Sequence, residues 1–304
     1  VHFEKYSEVL EQDEYSKVSF YARLLSLKKL NNYYVVNFFD GYEKRAFKLF
    51  NPNSDIEDHL LTNKVYLFEG ETRGDKGKYF KLNTYKEVPV VKKLDDLLFP
   101  ERLNKPSDKA VMIYNTFITE IANKDLRKFV AYCLGLKGAN LEETQRKKIY
   151  AVFAESPCSL ANHDCYKGGL MVHIAGMLSA AKSLKESYES GIRVEDLSIV
   201  DWDLLYAIIY LHDVGKPLTY YKSEGSIGFE WKSTCLENHS LLGSHYIYHC
   251  WSTNKLISFA LLQKILYCID EHMNTVMQPK VKELTLLKAL DSFDASLASI
   301  ICRL

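Results

Sequence analysis

The sequence predicts a two-domain protein, a small N-terminal β-barrel followed by an all-α helical domain. Three observations lead there. Residues 17–86 alternate short aromatic and β-branched runs with turn signals. After Lys92-Lys93 the apolar residues recur at helical spacing to the end of the chain, with Pro100 and Pro106 punctuating the join. A length of 304 residues with 47% hydrophobic content can fill one large core or two smaller ones. The expected domains are residues 1–92 and 93–304.

In the first region five strands are expected: Val18 to Leu27, Tyr33 to Phe39, Lys44 to Phe50, Lys64 to Glu69 and Lys78 to Asn83. Asp40-Gly41 marks a tight hairpin, and Gly74-Asp75-Lys76-Gly77 joins the last two strands. A short helical piece near Ile56 to Leu61 stands between the third and fourth. This order is that of a small OB-type barrel. Its second and third strands place Tyr33 and Phe38 beside Lys44, Arg45 and Lys48, a face on which bases can stack while cations meet phosphates. Alternating aromatics also build barrel cores, so the expectation concerns the face and not any single ring.

Helices are expected at 107–123, 125–136, 141–155, 170–188, 203–214, 238–251, 255–272 and 283–301. No run of about 18 apolar residues could span a bilayer, and no basic n-region followed by an apolar h-region opens the chain, so a cytoplasmic location and no membrane partner are expected. The seven cysteines include no CxxC pair and read as buried thiols of a reducing compartment. With 39 basic and 39 acidic residues there is no global positive field to gather nucleic acid. Any nucleic-acid partner must be held by local chemistry.

Seven of the nine histidines follow residue 162, several where a structural helix prefers an apolar side chain. His173 follows the Gly168-Gly169 helix start. His212-Asp213 closes an apolar helix before Gly215-Lys216, and His239 stands four residues before Gly243. His272 ends another apolar helix, and Asp291 interrupts the last one. A buried unpaired carboxylate costs several kcal/mol, so Asp291 should face a cation or be protonated. A lone His-Asp pair is common by chance. Imidazoles and carboxylates converging from several helices make a good ligand set for divalent transition metals.

The run from Ala161 to His173, His-Asp-Val-Gly-Lys at 212–216, Asn-His-Ser-Leu-Leu-Gly at 238–243 and Leu-Asp-Ser-Phe-Asp-Ala-Ser-Leu at 290–297 resemble the HD superfamily. Within it the chain is most similar to the YhaM-type 3′-to-5′ exoribonucleases, which place an OB domain before an HD domain. The resemblance spans nearly the whole chain, with motif-level specificity only in the HD part. It implies that His173, His212, Asp213 and Asp291 hold one metal, and that His239 and His272 help hold a second with Asp213 as the bridging, catalytic carboxylate. It also implies that Lys216 meets a substrate phosphate and that His163 lies on the substrate side. The family pairs histidines where this chain has His163-Asp164 and Glu271-His272, which leaves open whether Glu271 is a further ligand.

Two such ions would make a phosphohydrolase without a serine or cysteine nucleophile. The expected cofactors are two divalent ions, manganese first, with iron, cobalt or magnesium as alternatives. The expected partner is single-stranded nucleic acid, RNA before DNA, with self-association left open. Two other functions stay in view: hydrolysis of free or cyclic nucleotides, and a non-catalytic nucleic-acid-binding module.

Overall fold

The computed structural model describes residues 2–3, 5–50, 56–61, 64–74, 79–88, 97–98, 104–160, 163–192, 200–222, 229–231, 238–275 and 278–301. They divide into two compact units, one within residues 1–103 and the other within 104–223 and 228–304. The expected junction at Lys92-Lys93, residues 75–77 of the expected turn, Lys78 and Pro100 lie outside the described residues.

The first unit opens with β1 (His2–Phe3) and α1 (Tyr6–Glu11), then β2 (Lys17–Leu30), β3 (Tyr33–Phe39), β4 (Lys44–Phe50), α2 (Ile56–His59), β5 (Val65–Arg73) and β6 (Tyr79–Glu87). The sheet order is β4-β3-β2-β5-β6, antiparallel along that path, with β1 parallel to β2. Its two ends, β4 and β6, do not pair. The expected OB-type barrel is therefore corrected to an open sheet. β2 serves both halves, pairing with β5 through residues 17–23 and with β3 through 23–30, past an irregularity between Leu24 and Ser26. Side chains, not a ladder, fill the space between the ends: the rings of Phe47 on β4 and Phe80 on β6 lie 5.3 Å apart. Tyr6 of α1 packs on both Phe38 and Phe80. An aromatic core plugged by a helix buries the apolar face without the backbone pairing that closure requires.

Asp40 sets the expected hairpin. One carboxylate oxygen accepts from the amides of Tyr42 and Glu43, the other from the amide of Tyr6, and Gly41 takes φ +95. That second bond ties α1 to the turn.

The second unit contains α3 (Asp108–Thr116), a 3₁₀ turn at Phe117–Glu120, α4 (Lys124–Leu134), α5 (Glu143–Glu155) and α6 (Gly169–Ser187). It continues through α7 (Trp202–Leu211), the short α8 (Lys216–Thr219), α9 (His239–Asn254), α10 (Phe259–Glu271) and α11 (Glu283–Ile301). The expected all-α domain also holds a two-stranded hairpin, β7 (Tyr220–Lys222) with β8 (Phe229–Trp231), too short to show period-two alternation. From Leu204 to Leu211 every residue of α7 is buried, so this helix is the axis of the core. Asp201 caps it by accepting from the Leu204 amide, and Glu283 of α11 accepts from the Asp201 amide. Those bonds register the last helix against the central one.

Candidate metal centre

The site is built where α7 ends. His212 and Asp213 follow Leu211 directly, and both are buried. Gly215 then permits a close approach that no other residue would: a Cβ there would lie 1.7 Å from the carbonyl oxygen of His239. The start of α9, capped by Asn238, thereby rests on the His-Asp turn. Ser244 of α9 donates to Asp270 of α10 at 2.5 Å, which holds the ends of those two helices together.

Four helices bring their imidazoles to one carboxylate. His173 Nε2 is 3.9 Å and His212 Nε2 3.2 Å from Asp213 Oδ2, while His239 Nε2 is 3.4 Å and His272 Nε2 3.9 Å from Oδ1. Asp291 Oδ1 on α11 lies 3.3 Å from His173 Nε2. All four Nε2 atoms are buried and make no hydrogen bond. Leaving four such groups unsatisfied would be costly unless something else fills their lone pairs. A tetrahedral ion with ligand bonds of about 2.0–2.1 Å sets its N and O donors about 3.3 Å apart, close to three of these separations.

The other ring nitrogens explain why the lone pairs point inward. His212 Nδ1–H donates to the Ile209 carbonyl at 2.9 Å and His272 Nδ1–H to that of Ile269 at 2.6 Å. His173 Nδ1 is 2.8 Å from Asp294 Oδ2. Such partners fix the tautomer that offers Nε2 to a metal. Among the described residues three groups could hold an ion by proximity: His173 with His212 and Asp291, Asp213 with His239 and His272, and Cys158 with His163 and His173. These groups fit dependence on divalent metal.

The electrostatics follow from burial among charges. Burial works to raise the Asp213 carboxyl, but His212 and Lys216 outweigh it and hold the group well below the usual carboxylate range. Asp291, likewise opposed by burial, is brought down to about 2, chiefly by His173. Burial and then His212 push His272 down to about 4, and burial also lowers His239. Burial opposes the charge on Lys216 too, but Asp213, 2.6 Å from its Nζ, outweighs it and raises the ammonium.

The six residues His173, His212, Asp213, His239, His272 and Asp291 thus stand in one cluster, with Lys216 on Asp213. His163 stands at its edge, its Nε2 3.4 Å from Cys158 Sγ and its ring 5.6 Å from that of His173. The Glu271 carboxylate accepts from Asn274 and falls in none of the three groups. Asp294 and Cys158 escaped the sequence reading. The signal for Asp294 was its place one turn beyond Asp291; Cys158 gave none.

In the first unit, Lys44, Arg45 and Lys48 line a groove of about 1080 Å³ with Ser26, Val35 and Tyr79. Tyr33 lies outside that lining, stacked on Phe50 with Lys48 Nζ 5.1 Å above its ring. Phe38 is fully buried against Tyr6, Phe20 and Phe47, so the base-stacking expected of it is corrected: it is a core residue. On β3 the even positions face inward, and Phe38 is one of them.

Residues 170–296 match the HD domain family. The described residues of that match lie within the helical unit. The chain is related at moderate identity to proteins named 3′-5′ exoribonucleases. Against the "3'-5' exoribonuclease YhaM" of Bacillus velezensis it is 33% identical over 115 residues, 34% of this chain and 34% of that protein. Against the protein of the same name from Shouchella clausii it is 35% identical over 102 residues, 34% of this chain and 25% of that protein. The matches thus span about a third or less of these relatives. Among solved structures, one of a "Replication Protein A Heterotrimer Bound to ssDNA" aligns with TM-score 0.21 at 11% identity, over 24% of this chain and 58% of that one; at that score the likeness carries no argument. Among the described residues no helix is long and apolar enough to cross a membrane.

Proposed function

We propose that this protein is a metal-dependent phosphodiesterase that acts as a 3′-to-5′ exonuclease on single-stranded RNA and releases nucleoside monophosphates. One observation carries the metal chemistry: four buried imidazole nitrogens without hydrogen bonds converge on Asp213. In this reading His173, His212, Asp213 and Asp291 hold one divalent ion. His239 and His272 hold a second, with Asp213 shared. Mixed nitrogen and oxygen donors favour Mn²⁺, Fe²⁺ or Co²⁺ over Mg²⁺. Ions bound there would supply the Lewis acidity that activates water and offsets the charge developing at phosphorus.

The protein's own groups do the positioning. Asp294 and the carbonyls of Ile209 and Ile269 hold three imidazoles in their ligating tautomers. Lys216 keeps Asp213 ionised and stands ready for a phosphate oxygen, and His163 borders the same space. The groove bearing Lys44, Arg45 and Lys48 is the proposed strand-holding surface, with Phe50 and Tyr79 as its exposed rings. The exonuclease direction and the preference for RNA are supported by the relatives' activity.

The test is hydrolysis of a 3′-tailed RNA, its DNA counterpart and a panel of cyclic nucleotides, each with Mn²⁺ or Mg²⁺. Processive shortening of the RNA from its 3′ end with Mn²⁺ is expected. Turnover of cyclic nucleotides alone would replace the exonuclease by a small-molecule phosphohydrolase.

A further inference from the structure

The third group of candidate ligands differs from the other two in kind, because it contains a thiol. Cys158 lies before α6, among residues tied to one another by backbone and hydroxyl bonds. Its amide donates to the Asp164 carbonyl at 2.9 Å, while the Ser159 hydroxyl donates to the His163 carbonyl and accepts from the His163 amide. These bonds fix Cys158 and His163 side by side before any ligand arrives. Their Sγ and Nε2 atoms are 3.4 Å apart. A tetrahedral zinc with bonds of about 2.3 Å to sulfur and about 2.05 Å to nitrogen holds those two donors about 3.5 Å apart. His173 supplies the third donor, and its buried Nε2 has no hydrogen-bond partner.

We propose that Cys158, His163 and His173 form a separate site for a thiophilic divalent cation such as Zn²⁺, and that filling it inhibits the enzyme by drawing His173 away from Asp291 and Asp213. Sulfur selects against manganese and magnesium and for zinc or cadmium, so the two kinds of ion do not compete on equal terms. On binding, Cys158 loses its proton to solvent and the sulfur becomes the anionic ligand. Burial raises the Cys158 thiol, and Lys216, with Nζ 3.6 Å from Sγ, partly offsets this in favour of the thiolate. Among the described residues His173 alone serves both centres. Zinc held there would compete with the phosphodiesterase centre for one imidazole, apart from any zinc that enters that centre itself.

The inhibitory half rests on the phosphodiesterase reading; the binding half does not, and the two are tested apart. Titrating the metal-free full chain with Cd²⁺ should produce an ultraviolet thiolate-to-cadmium charge-transfer band saturating near one equivalent. Cys158→Ala and, as a guard against misfolding, Cys158→Ser should both abolish it. A band that survives in both folded variants, or its absence from the wild type, overturns the site. For the inhibitory half, the manganese-loaded wild type should lose hydrolysis at low Zn²⁺, and Cys158→Ala should need at least roughly tenfold more zinc for the same loss while keeping its activity without zinc. Equal zinc sensitivity of the two proteins overturns inhibition through this site.

Discussion

In the helical unit Asp213 is 1% exposed and is surrounded by four imidazoles and an ammonium. In the N-terminal sheet Lys44, Arg45 and Lys48 stand in water; Arg45 pairs with Glu43, and Lys48 lies over Tyr33. The first arrangement concentrates charge where solvent cannot screen it, so every contact is stiff and each change is expensive. The second spreads charge where salt and water weaken it, so single residues matter little and the face acts by addition. The difference teaches where specificity can reside: geometry in the buried cluster, capture on the exposed groove.

The sharpest way to break this contrast is Asp213→Asn. The substitution keeps volume but removes the charge shared by all the surrounding donors, so hydrolysis should fall by about a thousandfold or more. Steady-state kinetics with a circular dichroism check of folding measure this; a folded variant with near-normal turnover would refute the role of Asp213. A smaller loss is expected of Asp294→Asn, which leaves the cluster intact but frees His173 Nδ1 of its carboxylate. Loss of such an outer partner typically costs about 10–100-fold in metal affinity or activity. Manganese titration should show the affinity fall, and Asp294→Glu should recover part of it.

Acidity tests burial itself. His272 is held at about 4 in the fold, against about 6.5 unfolded. Between those values the unfolded chain takes up a proton that the folded one refuses, so stability falls as pH drops through that window. His272 alone contributes up to about 3 kcal/mol of this loss. Denaturant midpoints of the metal-free protein across the window should decline, and His272→Gln should flatten the decline. His239, also lowered, works in the same direction, whereas His173, raised well above its ordinary value despite burial, acts above that window, its contribution being complete below about 6.5.

The smallest single effects belong to the groove. Removing Lys44, Arg45 or Lys48 should each weaken RNA binding several-fold at most. Each should flatten the log–log salt dependence by about 0.7 per lost phosphate contact. Cleavage of a small activated phosphodiester should be unchanged. A triple variant that binds and degrades long RNA normally would remove the sheet from the reaction.

Much of this was legible because it depends on local period. Helices α4 to α7 and α9 to α11 lie within a few residues of where apolar spacing sets them. Strands β2 to β6 follow the alternation. The histidines were conspicuous because imidazoles on apolar helix faces violate the pattern around them. Tertiary structure alone decided that the sheet stays open, since closure depends on whether β4 and β6 meet, and Tyr6, Phe47 and Phe80 fill the space between them instead. It alone turned Phe38 inward and set Asp294 behind His173. The physical reason is distance along the chain: periodicity reports which face of an element is buried, whereas which side chains meet across 121 residues, as His173 and Asp294 do, is fixed only when the helices carrying them pack.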